Sequence, residues 1–148
     1  MKNIAIILAG GTGQRLGDTI PKQFLKVAGK KVIEHTLDVF QNHPQIDEIA
    51  VVSNPNFLND VEAIVIKNSY TKLKKILQGG KERYHSVAIG LHAISWLCDY
   101  VFIHDGARPF INNEILQRAY DCVTECKACI VGMPVKDTVK IADDRGYV

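Results

Sequence analysis

The chain of 148 residues carries little net charge and no long apolar run. Lysine and arginine together number 18 and aspartate and glutamate 16, a surplus too small to indicate binding to nucleic acid or to a membrane surface. No apolar run reaches the roughly 18 residues that a bilayer-spanning helix needs. The N-terminal stretch MKNIAIILAGG is too short for a secretory signal peptide. We therefore predict a cytoplasmic protein with neither a nucleic acid nor a membrane as partner.

Cysteine is also scarce, and its spacing fits no standard site. The four cysteines are Cys98, Cys122, Cys126 and Cys129. Disulfide scaffolds are smaller and denser in cysteine, and the usual paired CxxC spacing of a zinc site is missing. We predict reduced, buried thiols. The sequence also has no internal repeat and no low-complexity segment. Its length of 148 residues predicts one domain.

Short apolar runs alternate with amphipathic stretches along the whole chain. Strands are predicted at 4–8, 46–52, 75–78, 100–104 and 128–133, and helices at 31–40, 56–67, 84–97 and 113–125. The buried stripe of the third helix is predicted to be Val87, Leu91, Ile94 and Leu97. Strands that alternate with helices of this length predict an α/β fold, with a mainly parallel sheet and helices on both of its faces.

The C-terminal stretch TVKIADDRGYV has the pattern of a hairpin. Its turn is predicted from Asp143 to Gly146, and a new strand begins at Tyr147. The sequence ends before that strand is complete. We therefore expect either a shortened polypeptide or a fold that is completed from outside, with a β-arm that begins near residue 136 and is cut short.

The stretch LAGGTGQRLGDTIPKQF carries the main chemical signal. Gly10, Gly11 and Gly13 follow the first predicted strand, and ligands of parallel α/β sheets bind beyond the carboxyl ends of the strands. The spacing matches neither the dinucleotide fingerprint nor a P-loop. It supplies instead Arg15 and Lys22, two cations that suit a charged phosphoryl transition state. The alternative is a glycine-rich turn with two solvated charges.

Four motifs, in order along the chain, resemble those of the sugar-phosphate nucleotidyltransferases. They are most similar to those of the 2-C-methyl-D-erythritol 4-phosphate cytidylyltransferases of the non-mevalonate isoprenoid pathway. GGTGQR with PKQF resembles GGxGxR with PKQF, and GGKERYHSVAIGL resembles GGxxRxxSVxxGL. HDGARPF resembles HDxARP, and PVKDTVK resembles PxxDT[IVM]K. The resemblance implies a Rossmann-like nucleotidyltransferase fold, with residues 1–148 forming a single cytidylyltransferase domain that lacks the C-terminal part.

The resemblance also implies a reaction and a set of site residues. CTP and methylerythritol phosphate would give the CDP-alcohol and pyrophosphate, with Mg²⁺ as cofactor. Arg15 and Lys22 match the catalytic cations, and Asp105 matches a metal ligand. Thr138 would touch the polyol phosphate of a second copy, in a homodimer formed through the arm. The residues implied for CTP are Leu8, Ala9, Gly10, Gly11, Gly13, Gly79, Gly80, Arg83, Ser86, Asp105, Ala107 and Arg108.

Several alternatives remain open at this point. Ser86 could satisfy a backbone group early in a helix, and Arg108 could form a salt bridge with Asp105. The chain could be a ribitol-5-phosphate cytidylyltransferase, although the pair Ser86-Val87 and the DTVK segment favour the methylerythritol enzyme. It could also be a nucleotide-binding domain without catalysis, or a purely structural domain. Residues 1–148 alone are expected to bind CTP weakly and to make little CDP-alcohol.

Overall fold

The structure is a computed structural model that describes residues 1–11, 20–94, 98–136 and 138–147. The strands are β1 (Asn3–Ala9), β2 (Lys26–Val27), β3 (Lys30–Lys31), β4 (Glu48–Ser53), β5 (Leu73–Gln78) and β6 (Tyr100–Asp105). The helices are α1 (Val32–Asn42), α2 (Leu58–Asn68), α3 (Arg83–Ala93) and α4 (Asn113–Cys126).

Four strands form a parallel sheet in the order β5-β4-β1-β6. Strand β1 lies between two partners and is buried along its whole length, which explains why its sequence is continuously apolar rather than alternating. In the register of the sheet, Leu8 lies between Val52 of β4 and Asp105 of β6. Gly10 and Gly11, which follow β1, therefore emerge between the ends of both neighbouring strands.

Helices cover both faces of the sheet, which confirms the predicted architecture. Three of them, α1, α2 and α4, pack on the face that carries Ala5 and Ile7. Helix α3 packs on the opposite face, where Val87 and Ile94 contact the cluster of Ile6, Leu8 and Val52. The alternation of side chains along β1 thus divides the core into two layers.

Helix α3 differs from the prediction in its length and in its buried face. It ends at Ala93, and Leu97 lies outside the described residues. Its buried positions are Ser86 and Gly90, whereas Leu91 is 43% exposed. A Cβ atom on Gly90 would lie 2.7 Å from Cγ2 of Ile6. The helix therefore approaches β1 through its small residues. In this orientation Leu91 lies partly on the outer surface of the helix.

The region after α4 contradicts two predictions. The strand predicted at 128–133 is absent, and Ile130 there is 96% exposed. The predicted turn is present, since the Gly146 N–H donates to the Asp143 carbonyl at 2.9 Å. No strand pairing accompanies it within residues 138–147. An apolar run becomes a strand only when a sheet edge takes up its backbone groups, and these residues pair with none.

The cysteines are free as predicted but not buried, since Cys126 is exposed and the other three are partly exposed.

The hairpin of β2 and β3 was not predicted. Its two-residue turn is formed by Ala28 and Gly29, which both have the positive φ that a type I′ hairpin requires. Within the described ranges, no helix is long and apolar enough to cross a membrane.

Candidate functional site

The predicted site segments meet at the carboxyl edge of the parallel sheet. The segment after β6 is tied to β1, because the Gly106 N–H donates to the Leu8 carbonyl at 2.8 Å. The segment after β5 is tied to β4 in the same way, because the Gly79 N–H donates to the Ser53 carbonyl at 2.7 Å. Gly10 and Gly11, which follow β1, lie between these two segments, so described parts of three of the four motifs share one edge.

Ser86 lies beside both glycine segments. Its hydroxyl is buried and accepts a hydrogen bond from the Gly80 N–H at 3.2 Å. A Cβ atom on Gly79 would lie 3.0 Å from Ser86 Oγ, and one on Gly10 would lie 3.5 Å from it. The structure therefore confirms the alternative considered for Ser86, in which its hydroxyl satisfies a backbone group. A contact with a nucleotide stays a prediction.

The PKQF motif forms a short 3₁₀ turn, Lys22–Phe24. It lies beside Gly10 and Gly11, the described start of the segment after β1, which we call the glycine loop. The ring of Phe24 is buried and stacks on Phe57 with 4.9 Å between centroids, whereas Lys22 is exposed. Gln23 is buried, and its side-chain nitrogen donates to the carbonyls of Ala9 and Gly11. Sequence reasoning gave Gln23 no role, although its place between a predicted catalytic lysine and an aromatic anchor was a usable signal.

Asp105 forms the charged centre of the edge. Its Oδ1 lies 3.0 Å from Nη2 of Arg83, and its Oδ2 lies 3.0 Å from Nε of Arg108. The salt bridge considered for Arg108 is thus present. Both arginine side chains are mostly exposed, so they can turn from the carboxylate toward an anionic ligand at little cost in burial. Ala107 lies in the same loop, partly exposed.

The loop that carries Asp105 is supported from beneath. His104 Nε2 donates to the Arg108 carbonyl at 3.0 Å, and its ring packs on Phe40. Thr36 Oγ1 of α1 donates to the Gly106 carbonyl at 3.2 Å. Burial lowers the pKa of His104, although its hydrogen bond to the Arg108 carbonyl and the nearby Asp105 act in the opposite direction. His104 is therefore neutral at pH 7 and acts as a support of the loop.

The described residues of the charged edge provide too few ligands to hold a metal ion in the absence of a nucleotide. The described part of the chain contains no group of three or more histidine, cysteine, aspartate or glutamate side chains that could hold an ion. Asp105 supplies a single carboxylate there. Mg²⁺ is commonly held by one or two carboxylates together with phosphate oxygens and water. The donor set therefore fits a Mg²⁺ ion that is bound together with a nucleotide.

Three predicted site residues are not assigned to this arrangement by the described residues. Gly13 and Arg15 lie outside the described residues, in the interval from 12 to 19. Thr138 is exposed in a segment without regular secondary structure. Leu8 and Ala9 are buried in β1 and take part through their backbone.

A family comparison covers nearly the whole chain. The model of the 2-C-methyl-D-erythritol 4-phosphate cytidylyltransferase family, IspD, matches residues 3–148. An enzyme of that name from Lachnospira eligens is 43% identical over 145 residues, which are 98% of this chain and 63% of the relative. One from Clostridioides difficile is 42% identical over 94% of this chain and 59% of the relative. The chain thus spans about three fifths of the length of these relatives.

Solved structures agree with the sequence comparison. The 4-diphosphocytidyl-2C-methyl-D-erythritol synthase from Anaerococcus prevotii superposes with a TM-score of 0.86 at 32% identity, over 99% of this chain and 62% of that one. The cytidylyltransferase from Thermus thermophilus gives a TM-score of 0.70 at 27% identity, over 99% and 62%. With three of the four motifs gathered at one sheet edge and a family match from residue 3 to residue 148, the chain belongs to the 2-C-methyl-D-erythritol 4-phosphate cytidylyltransferase family.

Proposed function

We propose that this chain carries the CTP-binding and catalytic part of an enzyme that transfers a cytidylyl group from CTP to 2-C-methyl-D-erythritol 4-phosphate. The observation that carries the proposal is the meeting of the glycine loop with the charged cluster of Asp105, Arg83 and Arg108 at one sheet edge. Family membership supports the choice of substrates. A phosphate oxygen of the polyol attacks the α-phosphorus of CTP, the bond to the β-phosphate oxygen breaks, and pyrophosphate leaves.

The protein's part in this reaction is alignment and charge neutralisation, since no covalent enzyme intermediate is needed. Backbone N–H groups around Gly10, Gly11 and Gly13 cradle the triphosphate. Lys22 and Arg15 stabilise the negative charge of the pentacoordinate transition state. Lys22 is exposed beside the glycine loop, so its ammonium group is accessible to an anionic ligand.

Asp105 is the residue that would hold Mg²⁺ at this edge. The ion would neutralise phosphate charge and favour departure of pyrophosphate. Arg83 and Arg108 occupy both carboxylate oxygens at 3.0 Å. Each arginine can exchange this ion pair for phosphate oxygens of the nucleotide, for which its planar guanidinium is well suited. In this way the carboxylate becomes free for the metal when CTP arrives.

The cytosine base is assigned to the Gly79–Gly80 segment together with Ser86 and Ala107. Backbone groups that are free to approach a base edge favour a pyrimidine, because a purine is too large and leaves polar groups unpaired. Thr138 is assigned to the polyol phosphate of a second copy in a homodimer. The proposal also includes a cytoplasmic location and the absence of nucleic-acid and membrane partners.

Pyrophosphate release by the complete protein tests the proposal. We expect release with CTP, Mg²⁺ and methylerythritol phosphate, and its abolition by EDTA. Ribitol 5-phosphate as the better acceptor would favour the related cytidylyltransferase. CTP binding without release from either acceptor would favour a silent nucleotide-binding domain. Unchanged thermal unfolding with CTP and Mg²⁺ would favour a purely structural role.

A further inference from the structure

Gln23 makes two hydrogen bonds to the glycine loop from a fully enclosed position. Its side chain is 1% exposed, and its Nε2 atom lies 2.7 Å from the Ala9 carbonyl oxygen and 2.9 Å from that of Gly11. A carbonyl oxygen only accepts hydrogen bonds, and an amide nitrogen carries two N–H donors. Both donors of Gln23 are thus used by one loop, across 12 and 14 positions of sequence.

These bonds fix the direction of a loop N–H group. The Leu8 carbonyl points toward β6, where it accepts from Gly106. Successive carbonyls along an extended strand point to opposite sides, so that of Ala9 points away from β6 and toward Gln23. The Ala9–Gly10 peptide is trans, and N–H and C=O are antiparallel in a trans peptide. The Gly10 N–H is therefore directed toward the side of Asp105.

The other end of this connection is rigid. Gln23 stands between Lys22 and Phe24 in one 3₁₀ turn, and the Phe24 N–H donates to the Pro21 carbonyl at 2.8 Å. The Phe24 ring is held in the core against Phe57. An anchored residue on one side and two hydrogen bonds on the other leave the backbone of Lys22 little freedom relative to the glycine loop.

We propose that Gln23 is a positioning residue for cytidylyl transfer, which aligns the N–H groups of the glycine loop with the ammonium of Lys22 on one triphosphate. This inference rests on the proposed function. Gln23 is enclosed, so it acts through the loop and through Lys22 rather than by touching CTP. Removal of its donors should then impair the transition state more than binding of the ground state, since catalysis depends strongly on alignment.

The test compares two variants of the complete protein. Gln23→Met keeps the volume of the side chain and removes both donors, and Tyr70→Phe removes a buried hydroxyl that bonds to Glu34 and Asp38 far from the edge. For Gln23→Met we expect kcat to fall about 10- to 100-fold, with a change in KM for CTP of less than about threefold. For Tyr70→Phe we expect a similar loss of thermal stability and a normal kcat. If Gln23→Met does not fold, Gln23→Asn takes its place: its side chain is one methylene shorter, so its amide cannot reach both carbonyls, and the same loss of kcat is expected.

A double-mutant cycle separates positioning from general stability. If Gln23 acts through Lys22, Gln23→Met costs at least about threefold less in kcat when combined with Lys22→Ala than in the wild type. Equal losses in both backgrounds, or a kcat loss matched by Tyr70→Phe, overturn the proposal.

An NMR measurement keeps this inference distinguishable from the proposed function. The backbone amides of Gly10 and Gly11 should have order parameters near 0.85 in the wild type and near or below 0.6 in Gln23→Met. This readout needs no turnover, so it remains valid if the wild type makes no CDP-alcohol. Unchanged order parameters overturn the connection itself, whatever the enzyme's reaction is.

Discussion

Lys22 is the exposed side chain on which the proposed transfer depends most directly. We expect Lys22→Ala to leave thermal stability unchanged, because the side chain is exposed and its turn is held by Gln23 and Phe24. Turnover should fall about 100-fold or more, the usual consequence of losing one preorganised electrostatic donor. Steady-state kinetics with CTP and methylerythritol phosphate measure the effect.

Lys26→Ala is the matched control for Lys22→Ala. Lys26 is also an exposed lysine of the same segment, in the small strand β2, and the proposed mechanism gives it no part. Its variant should retain kcat within about twofold, as an ordinary surface substitution does. Comparable losses in the two variants would mean that general positive charge near the loop, and not the position of Lys22, is what matters.

The packing of α3 on β1 rests on a glycine in the middle of a helix. Alanine is the better helix former by about 1 kcal/mol, yet a Cβ atom on Gly90 would meet Ile6 Cγ2 at 2.7 Å. We expect Gly90→Ala to destabilise the protein by about 1–3 kcal/mol, as overpacking of a core does. Urea unfolding measures the change in the free energy of unfolding.

The control for Gly90→Ala is Gly132→Ala. The added methyl group there has no atom within 4 Å, so the free energy of unfolding should change by less than about 0.5 kcal/mol. If Gly90→Ala proves neutral or stabilising, α3 can move away from β1 at no cost, and the close approach is not required.

The contact between α1 and α2 depends on an ionised glutamate. Glu34 accepts hydrogen bonds from the Lys31 N–H at 2.6 Å, Asn68 Nδ2 at 2.9 Å and Lys67 Nζ at 3.0 Å. Burial opposes ionisation of Glu34, but the hydrogen bonds from Asn68, Lys31 and Lys67 outweigh it and lower its pKa to about 2. The carboxylate thus joins the start of α1 to the end of α2.

The sign of the pH dependence follows from this lowered pKa. Stabilisation by Glu34 is fully present above its unfolded pKa of about 4.5 and is lost as the pH falls through its folded pKa of about 2. We expect Glu34→Gln to lower the free energy of unfolding by roughly 2–3 kcal/mol at pH 6, and the difference from wild type to vanish near pH 2. Urea titrations between pH 2 and pH 6 measure this difference. A constant difference across that range, or an equal one for the exposed Glu62→Gln, would contradict the assignment.

The sequence predicted the elements that show a clear local pattern of apolar residues. The helices were predicted from apolar residues that repeat with the period of a buried helix face, and strand β1 was predicted from a short, continuous apolar run. The strand at 128–133 was predicted from the same kind of run and is absent, because a strand also needs a partner edge, which local sequence does not reveal. Leu91 was assigned to the core because helical periodicity cannot foresee that Gly90 faces the sheet.

Single motifs were enough to name Lys22, Ser86 and Asp105 as candidate site residues. The parallel topology explains why their segments meet at one edge. What the sequence could not supply were contacts between distant segments. The ion pairs of Asp105 with Arg83 and the hydrogen bonds of Gln23 to the glycine loop exist only once the strands are paired.

Nucleotide binding should raise the thermal stability of the whole folded protein. A ligand that binds only the folded state stabilises it by RT ln(1 + [L]/Kd), so a tenfold difference in affinity between nucleotides appears as about 1.4 kcal/mol at saturating concentration. For a protein of this size, 1 kcal/mol corresponds to about 2–4 °C in the unfolding midpoint. With Mg²⁺ present, we expect CTP to raise the midpoint by several degrees more than ATP or GTP.

The Gly79–Gly80 segment is the proposed origin of this difference, so a variant there should remove it. A Cβ atom on Gly79 would lie 3.0 Å from Ser86 Oγ and 3.2 Å from the Ser53 carbonyl oxygen. Gly79→Ala therefore forces the segment away from the edge, and the advantage of CTP over ATP should shrink to less than about 1 °C while the triphosphate still binds. Thermal unfolding of both proteins with each nucleotide measures this. Equal shifts for CTP, ATP and GTP in the wild type would show that the edge holds a triphosphate without selecting the base.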